Sequence, residues 1–314
     1  MNNTLNHNLI FEKTALPYMI IDIHVHYSFD VTRTDIPPPK PGSQKDVLDL
    51  VANPSAVGYA AYLTSQLYYG RNPVTLSIDD FIAQMDAGGI DKVVLFHIGV
   101  KGSPSRMFNE GVAKLIDLYP DRFIGFAGFD PTKGKQAVQD IEYAVEELGF
   151  KGIKTVSSGY ELNINDEAYY SCYSKAQELG LPALIHTGTA ILKGLRGKYV
   201  HPIMIDDVAF DFPDLKIICA HLGGWHYMDV INMLVHHPNV YADISFWPLN
   251  PNYIDMVPWK LLEKTVPDKI LLGSDYPCGQ TPKEAAETVK TLPISEEFKA
   301  KILGDNAVDL LAIA

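Results

Sequence analysis

The chain has 314 residues, 47% of them hydrophobic and 20% charged, enough apolar material for one large α/β domain whose core needs no staples. With 26 basic and 38 acidic residues the net charge is −12, which argues against nucleic acid as a partner. Three scattered cysteines, Cys172, Cys219 and Cys278, exclude a disulfide framework and point to a reducing compartment.

No stretch approaches the roughly 18 apolar residues of a membrane span. The opening "MNNTLNHNLIFEKTALPYM" has neither a basic start nor a long apolar run. The expectation is a cytoplasmic protein without a membrane partner, with residues 1–18 as a lead-in to one domain over 1–314.

The first apolar run is "MIIDIHVH" (19–26). Strand side chains alternate faces, so Asp22, His24 and His26 are expected on one face and Ile21, Ile23 and Val25 on the other. Two buried imidazoles on neighbouring positions are costly unless something satisfies them, and a metal ion is the obvious candidate. A long segment follows, residues 27–77, containing "IPPPKPG" and the tyrosines Tyr62, Tyr68 and Tyr69. Its length and its place after a site strand predict a lid over the pocket mouth.

"SIDDFIAQMDAGG" (77–89) reads as a helix with Ser77 as N-cap. Further runs are "KVVLFHIG" (92–99), "FIGFAGF" (123–129), "GIKTV" (152–156), "PALIHTG" (182–188), "KIICAH" (216–221), "VYADIS" (240–245) and "ILLGSD" (270–275). Between them lie amphipathic segments such as "DEAYYSCYSKAQELG" (166–180), closed by Gly180. Eight β-then-α units of this kind predict a closed (β/α)8 TIM barrel.

In such barrels the active site lies at the C-terminal strand ends. The first run ends with His24 and His26, the second carries His97, the fourth carries Lys154, and the fifth, sixth and eighth bring His186, His221 and Asp275 at their ends. Three His and one Asp suit a borderline divalent metal such as Zn²⁺, with a position left for water.

The sequence resembles the amidohydrolase superfamily, in the amidohydrolase-related branch that includes aminocarboxymuconate semialdehyde decarboxylase. The motifs are "DIHVH", "GFKGIK", "LPALIHTG", "FPDLKIICAHLGG", "NVYADIS" and "LLGSDYP", in order along nearly the whole chain after residue 19. The resemblance implies one metal held by His24, His26, His186 and Asp275, with His221 as the acid/base residue facing a metal-bound water. Asp275 would act both as ligand and as catalytic acceptor for that water. Zn²⁺ is the first expectation, and Mn²⁺ or Fe²⁺ tolerates the same ligands.

Lys154 has two readings. It binds a carboxylate or substrate anion, or it bridges two metals as a carboxylated lysine, as in some relatives. The first is adopted, with a mononuclear site. Arg196, with Lys193 and Lys198, follows the fifth run and suits a carboxylate-bearing substrate. Lys101 and Arg106 follow the second. Trp225, Phe246 and Trp247 offer an apolar wall or else pack the rim. His97 is read as a structural histidine before a pocket residue, His201, His236 and His237 as loop or surface residues, and His226 as open. Cys278 is read as a packed thiol, and Cys219 as core on the same inward face as His221.

The functional expectation is a metal-dependent hydrolase of a small carboxylate-bearing substrate. The alternative is a non-oxidative decarboxylase of a small unsaturated or aromatic acid. The partner is a small molecule, and relatives make a homodimer a further expectation.

Overall fold

This computed structural model describes residues 18–26, 76–99, 101–188 and 195–313. Eight parallel strands follow one another in chain order round a single sheet. They are β1 (Ile21–His26), β2 (Lys92–Phe96), β3 (Phe123–Gly128), β4 (Gly152–Thr155), β5 (Ala183–Ile185), β6 (Ile217–Cys219), β7 (Val240–Asp243) and β8 (Ile270–Leu271). Backbone bonds between β1 and the segment from Leu272 onward close the ring. Ile23 N–H donates to Leu272 O and Asp275 N–H to His24 O, both at 2.9 Å, and His26 N–H donates to Tyr276 O at 2.8 Å. The expected (β/α)8 barrel is present, with a strand in each of the eight apolar runs.

The helices that follow the strands include α1 (Ile78–Gly88), α2 (Ser105–Leu118), α3 (Lys135–Glu146), α4 (Glu167–Glu178), α5 (Ile205–Asp211), α6 (Tyr227–His236), α7 (Trp259–Thr265) and α8 (Pro282–Thr291). Their ends follow local chemistry. Ser77 Oγ accepts the Asp80 N–H at 3.1 Å to start α1, and Gly89 ends it at φ 70°. Helix α4 is capped by Asp166 and Leu179, and Gly180 follows at φ 67° to turn the chain away.

Two cores lie on either side of the sheet. Inside the barrel pack Ile21, Ile23, Val94, Phe96, Leu184, Ile218 and Leu271. Between strands and helices pack Ile20, Val25, Val93, Leu95, Ile185 and Cys219, among others. Each fully buried aliphatic side chain is worth about 1.5–3 kcal/mol over its exposed state.

This division corrects the expected faces of β1. Ile21 and Ile23 lie in the inner core, while Val25 lies in the outer one. The pairing of β1 with β2 shifts register between Asp22 and Val25, so strict alternation is interrupted there. His24 and His26 therefore crown the inner stack, with Phe96 ring centroids 5.2 Å and 4.9 Å from theirs. Cys219 also differs from expectation, being in the outer core. Its neighbours Ile218 and Ala220 face inward. The segment 27–77 expected as a lid falls outside the described residues except for its last two, as does the lead-in except for Tyr18. Among the described residues no helix is long and apolar enough to cross a membrane.

Candidate metal centre

His24 Nδ1 lies 2.8 Å from Asp243 Oδ2, at the end of β7. A carboxylate only accepts, so in the neutral ring Nδ1 carries the hydrogen and the lone pair sits on Nε2. That lone pair faces Asp275 Oδ1 at 3.2 Å, and His26 Nε2 approaches the same oxygen at 2.9 Å. An acceptor facing an acceptor in a dry interior is repulsive unless a cation or a proton lies between them. The donor set therefore fits a divalent metal, with His24, His26 and Asp275 as three of its holders.

In the metal-free chain a proton can take that place. Burial and Lys154 push the His24 pKa down, but Asp243 and Asp275 outweigh them and leave it raised. Burial brings His26 down to about 4. Burial also works against the Asp275 carboxylate, yet His221, His24 and His26 hold its pKa well below the usual range.

His221 comes from the turn after β6. Simple alternation would send it outward with Cys219. Left-handed backbone at His221 (φ 59°) and Leu222 (φ 47°) turns it back over the barrel. His221 Nδ1 is 2.8 Å from Ser245 Oγ. The Ser245 hydroxyl donates to Asp243 Oδ1. Its single proton is thus committed, so His221 Nδ1 is the donor and His221 Nε2 keeps the lone pair. His186 Nδ1, one residue past β5, lies 3.1 Å from that lone pair and donates to it. The His186 lone pair is then on Nε2, the atom a metal would take. Burial pushes the His221 pKa well below its usual value, so its ring is a neutral base at pH 7.

The structure brings His24, His26, His186, His221 and Asp275 to one place. Within it, His24, His221 and Asp275 have donor atoms within 4.8 Å of one another. Gly273 admits this crowding: a Cβ there would stand 2.9 Å from Ser245 Cβ and 3.0 Å from His24 Cβ. Asp22 ties β1 to the closing segment, its Oδ1 accepting the His24 and Ser274 N–H groups at 3.0 Å. Burial raises its pKa to about 6.

Sequence reasoning passed over Asp243 and Ser245. The signal was available, because Asp243 is a carboxylate inside the apolar seventh run, "VYADIS".

Lys154 is fully buried on β4, with Nζ 3.4 Å from His24 Nε2 and 4.8 Å from the Phe96 ring centroid. Burial lowers its pKa to about 8, against the pull of Asp243 and Asp275. It has no ion pair with a carboxylate among the described residues. Arg196 is exposed, before the turn Gly197–Val200, and Lys193 lies outside the described residues. Arg106 is engaged over the Tyr143 ring at 3.7 Å. Trp225 is half-exposed and stacks on Trp247, ring centroids 5.6 Å apart. His97 stacks on Phe108 at 3.9 Å, and its Nε2 is buried without a hydrogen-bond partner. His237, expected at the surface, is buried against Asp206 at 2.7 Å.

Barrel and centre together define an enzyme scaffold working at the C-terminal mouth of a (β/α)8 barrel. A family model described as "Amidohydrolase" matches residues 21–313, and the chain belongs to that family. It is 25% identical over 241 residues to the 2-amino-3-carboxymuconate-6-semialdehyde decarboxylase of Dictyostelium discoideum, covering 67% of this chain and 66%, just under two thirds, of that protein. It is 27% identical over 134 residues to the 2-keto-4-carboxy-3-hexenedioate hydratase of a Sphingobium strain, covering 37% of this chain and 39% of the relative. A dihydroxybenzoic acid decarboxylase structure from a Polaromonas strain, holding manganese and an inhibitor, superposes with a TM-score of 0.64. That match has 19% identity and covers 94% of this chain and 96% of the other.

Proposed function

We propose that this chain is a metal-dependent lyase that releases CO2 from a small unsaturated or aromatic acid. The observation that carries the reading is Lys154, a buried ammonium without a carboxylate partner among the described residues, 3.4 Å from the inward nitrogen of His24. A buried cation calls for an anion, and a substrate carboxylate supplies one.

Hydrolysis, the first reading of the sequence, would use the same donors. The named activities of the relatives, decarboxylases and a hydratase, favour chemistry at carbon over acyl transfer. A divalent ion held by His24, His26, His186 and Asp275 would supply Lewis acidity when bound. Lys154 pairs with the substrate carboxylate, and the Phe96 ring beside it walls the apolar part of the acid. His221 Nε2, released from the His186 N–H it accepts in this structure, would take up a proton from solvent and hand it to the carbon as the bond to CO2 breaks. Arg196, exposed, and Trp225, half-exposed, would meet the tail of the substrate.

The test is CO2 release by the metal-loaded protein on a panel of aromatic and muconate-like acids, beside a panel of esters and lactones. Zn²⁺ and Mn²⁺ are loaded in parallel, manganese being the ion held by the Polaromonas protein. CO2 release that Lys154→Met weakens is the expected result. Hydrolysis of esters or lactones without CO2, or water addition to an unsaturated acid without CO2, overturns the reading.

A further inference from the structure

The geometry points to Cys278 as a sulfur donor at the same metal centre, biasing it towards thiophilic ions. The inference rests on the metal reading above. His26, Asp275 and Cys278 each offer one donor atom, and these atoms lie within 4.8 Å of one another. The thiol is free and 6% exposed.

The backbone explains how the thiol reaches the carboxylate. Asp275 sits at φ 59°, and its carbonyl accepts the Gly279 N–H at 2.7 Å. This tight turn brings residue 278 back beside the side chain three positions earlier. Gly279 permits it, since a Cβ there would stand 2.2 Å from Ser274 O and 3.2 Å from Asp275 Cβ.

A second observation comes from His26, whose Nδ1 is buried without a hydrogen-bond partner. A buried imidazole nitrogen without a protein partner is an unsatisfied group that an ion at the centre would satisfy.

The distances are compatible with one ion. Zinc–sulfur bonds of about 2.3 Å and zinc–nitrogen bonds of about 2.0–2.1 Å set tetrahedral donors about 3.6 Å apart. Donor atoms spread over up to 4.8 Å reach that separation by side-chain shifts of about an ångström. Binding would form a sulfur–metal bond and release the thiol proton to solvent. Thiolate favours Zn²⁺ and Co²⁺, whereas Mn²⁺ and Mg²⁺ prefer oxygen. His24, His26, His186 and Asp275 alone do not make that distinction sharply.

The experiment is a cobalt titration of the metal-free full chain, read by absorption with uptake measured on the same samples. Cobalt d–d bands report the centre as a whole. A near-ultraviolet sulfur-to-cobalt charge-transfer band reports the thiolate. The expected result is both bands in the unaltered protein, with loss of only the charge-transfer band in Cys278→Ser and Cys278→Ala. Cys219→Ser, in the outer core, should keep both. The unaltered protein carries the decisive signal, so poor folding of a variant does not blunt the test. Cobalt uptake with d–d bands and no charge-transfer band overturns the role of Cys278 and leaves the centre standing. A charge-transfer band that survives in both Cys278 variants overturns it equally. Failure to take up cobalt overturns the metal reading, and the sulfur donor with it.

Discussion

His24 Nδ1 lies 2.8 Å from one oxygen of Asp243, while the other oxygen of that carboxylate accepts the backbone N–H groups of His221 at 3.0 Å and Ser245 at 2.9 Å. One carboxylate thus fixes the tautomer of an inward imidazole and the loop that carries a second. Burial raises its pKa, but His24 and its other partners more than offset this and hold it lowered. Asp243→Asn leaves the shape and removes the charge. The expected outcome is a loss of metal affinity of about 10–100-fold, the usual effect of removing an outer partner. Chelator competition on the folded variant measures it. Unchanged affinity would show that Asp243 does not orient His24 for a metal.

His221→Asn should keep the metal and lose turnover by roughly 10²–10⁴-fold, the usual worth of general acid–base catalysis. Ser245→Ala should cost less, because it loosens the ring without removing it. Metal content and turnover are to be read on one preparation. If the metal leaves with the activity, His221 is a ligand, and its grouping with His24 and Asp275 is the coordination sphere itself.

The barrel was legible because a parallel strand buried on both faces leaves a continuous apolar run, and eight such runs are hard to mistake. The inward ends of β1, β4, β5 and β8 were legible too, because His24, Lys154, His186 and Asp275 are unusual residues for a core. Strict alternation misled where the backbone departs from a regular strand. The register shift in β1 moved Ile21 and Ile23 to the barrel axis. Positive φ at His221 gave that ring the opposite face from the one its parity implies, so Cys219 was placed inward with it and lies outward. Neither event has a composition signal, since both arise from pairing and loop closure. Asp243 stood in plain view as a carboxylate in the seventh run, but its pairing with His24 shows only once the ring closes and brings β7, one strand removed, near β1.

Lys154 sets a pH dependence in the metal-free chain. Its folded pKa of about 8 lies below the ordinary 10.5. Below pH 8 both folded and unfolded chains carry the proton, and the cost of the buried charge is present in full. Between about 8 and 10.5 the unfolded chain holds more protons, so stability should rise with pH, by about 3 kcal/mol at most. Lys154→Met should be the more stable chain at neutral pH and should lack this rise. Denaturant unfolding across that window, at matched zero metal, checks it. Parallel pH curves for the two chains would mean that Lys154 keeps its proton in the folded barrel across that window, with a pKa that burial has not lowered.

His97 sets the opposite limb. Burial, helped by His26, brings its pKa down to about 3 from 6.5. As pH falls below 6.5 the unfolded chain gains a proton that the folded chain refuses, so stability falls until the folded ring protonates near 3. The loss is about 4–5 kcal/mol at most if His97 acts alone. His26, down at about 4, adds to it in the metal-free state. His97→Phe keeps a ring against Phe108 and deletes a nitrogen that has no hydrogen bond to lose. The variant should match the parent at pH 7 and unfold over a distinctly lower pH range. Acid titrations followed by circular dichroism decide it. Coincident acid transitions would show that His97 is protonated in the folded chain. A large loss at pH 7 would show that Nε2 holds a partner this packing depends on.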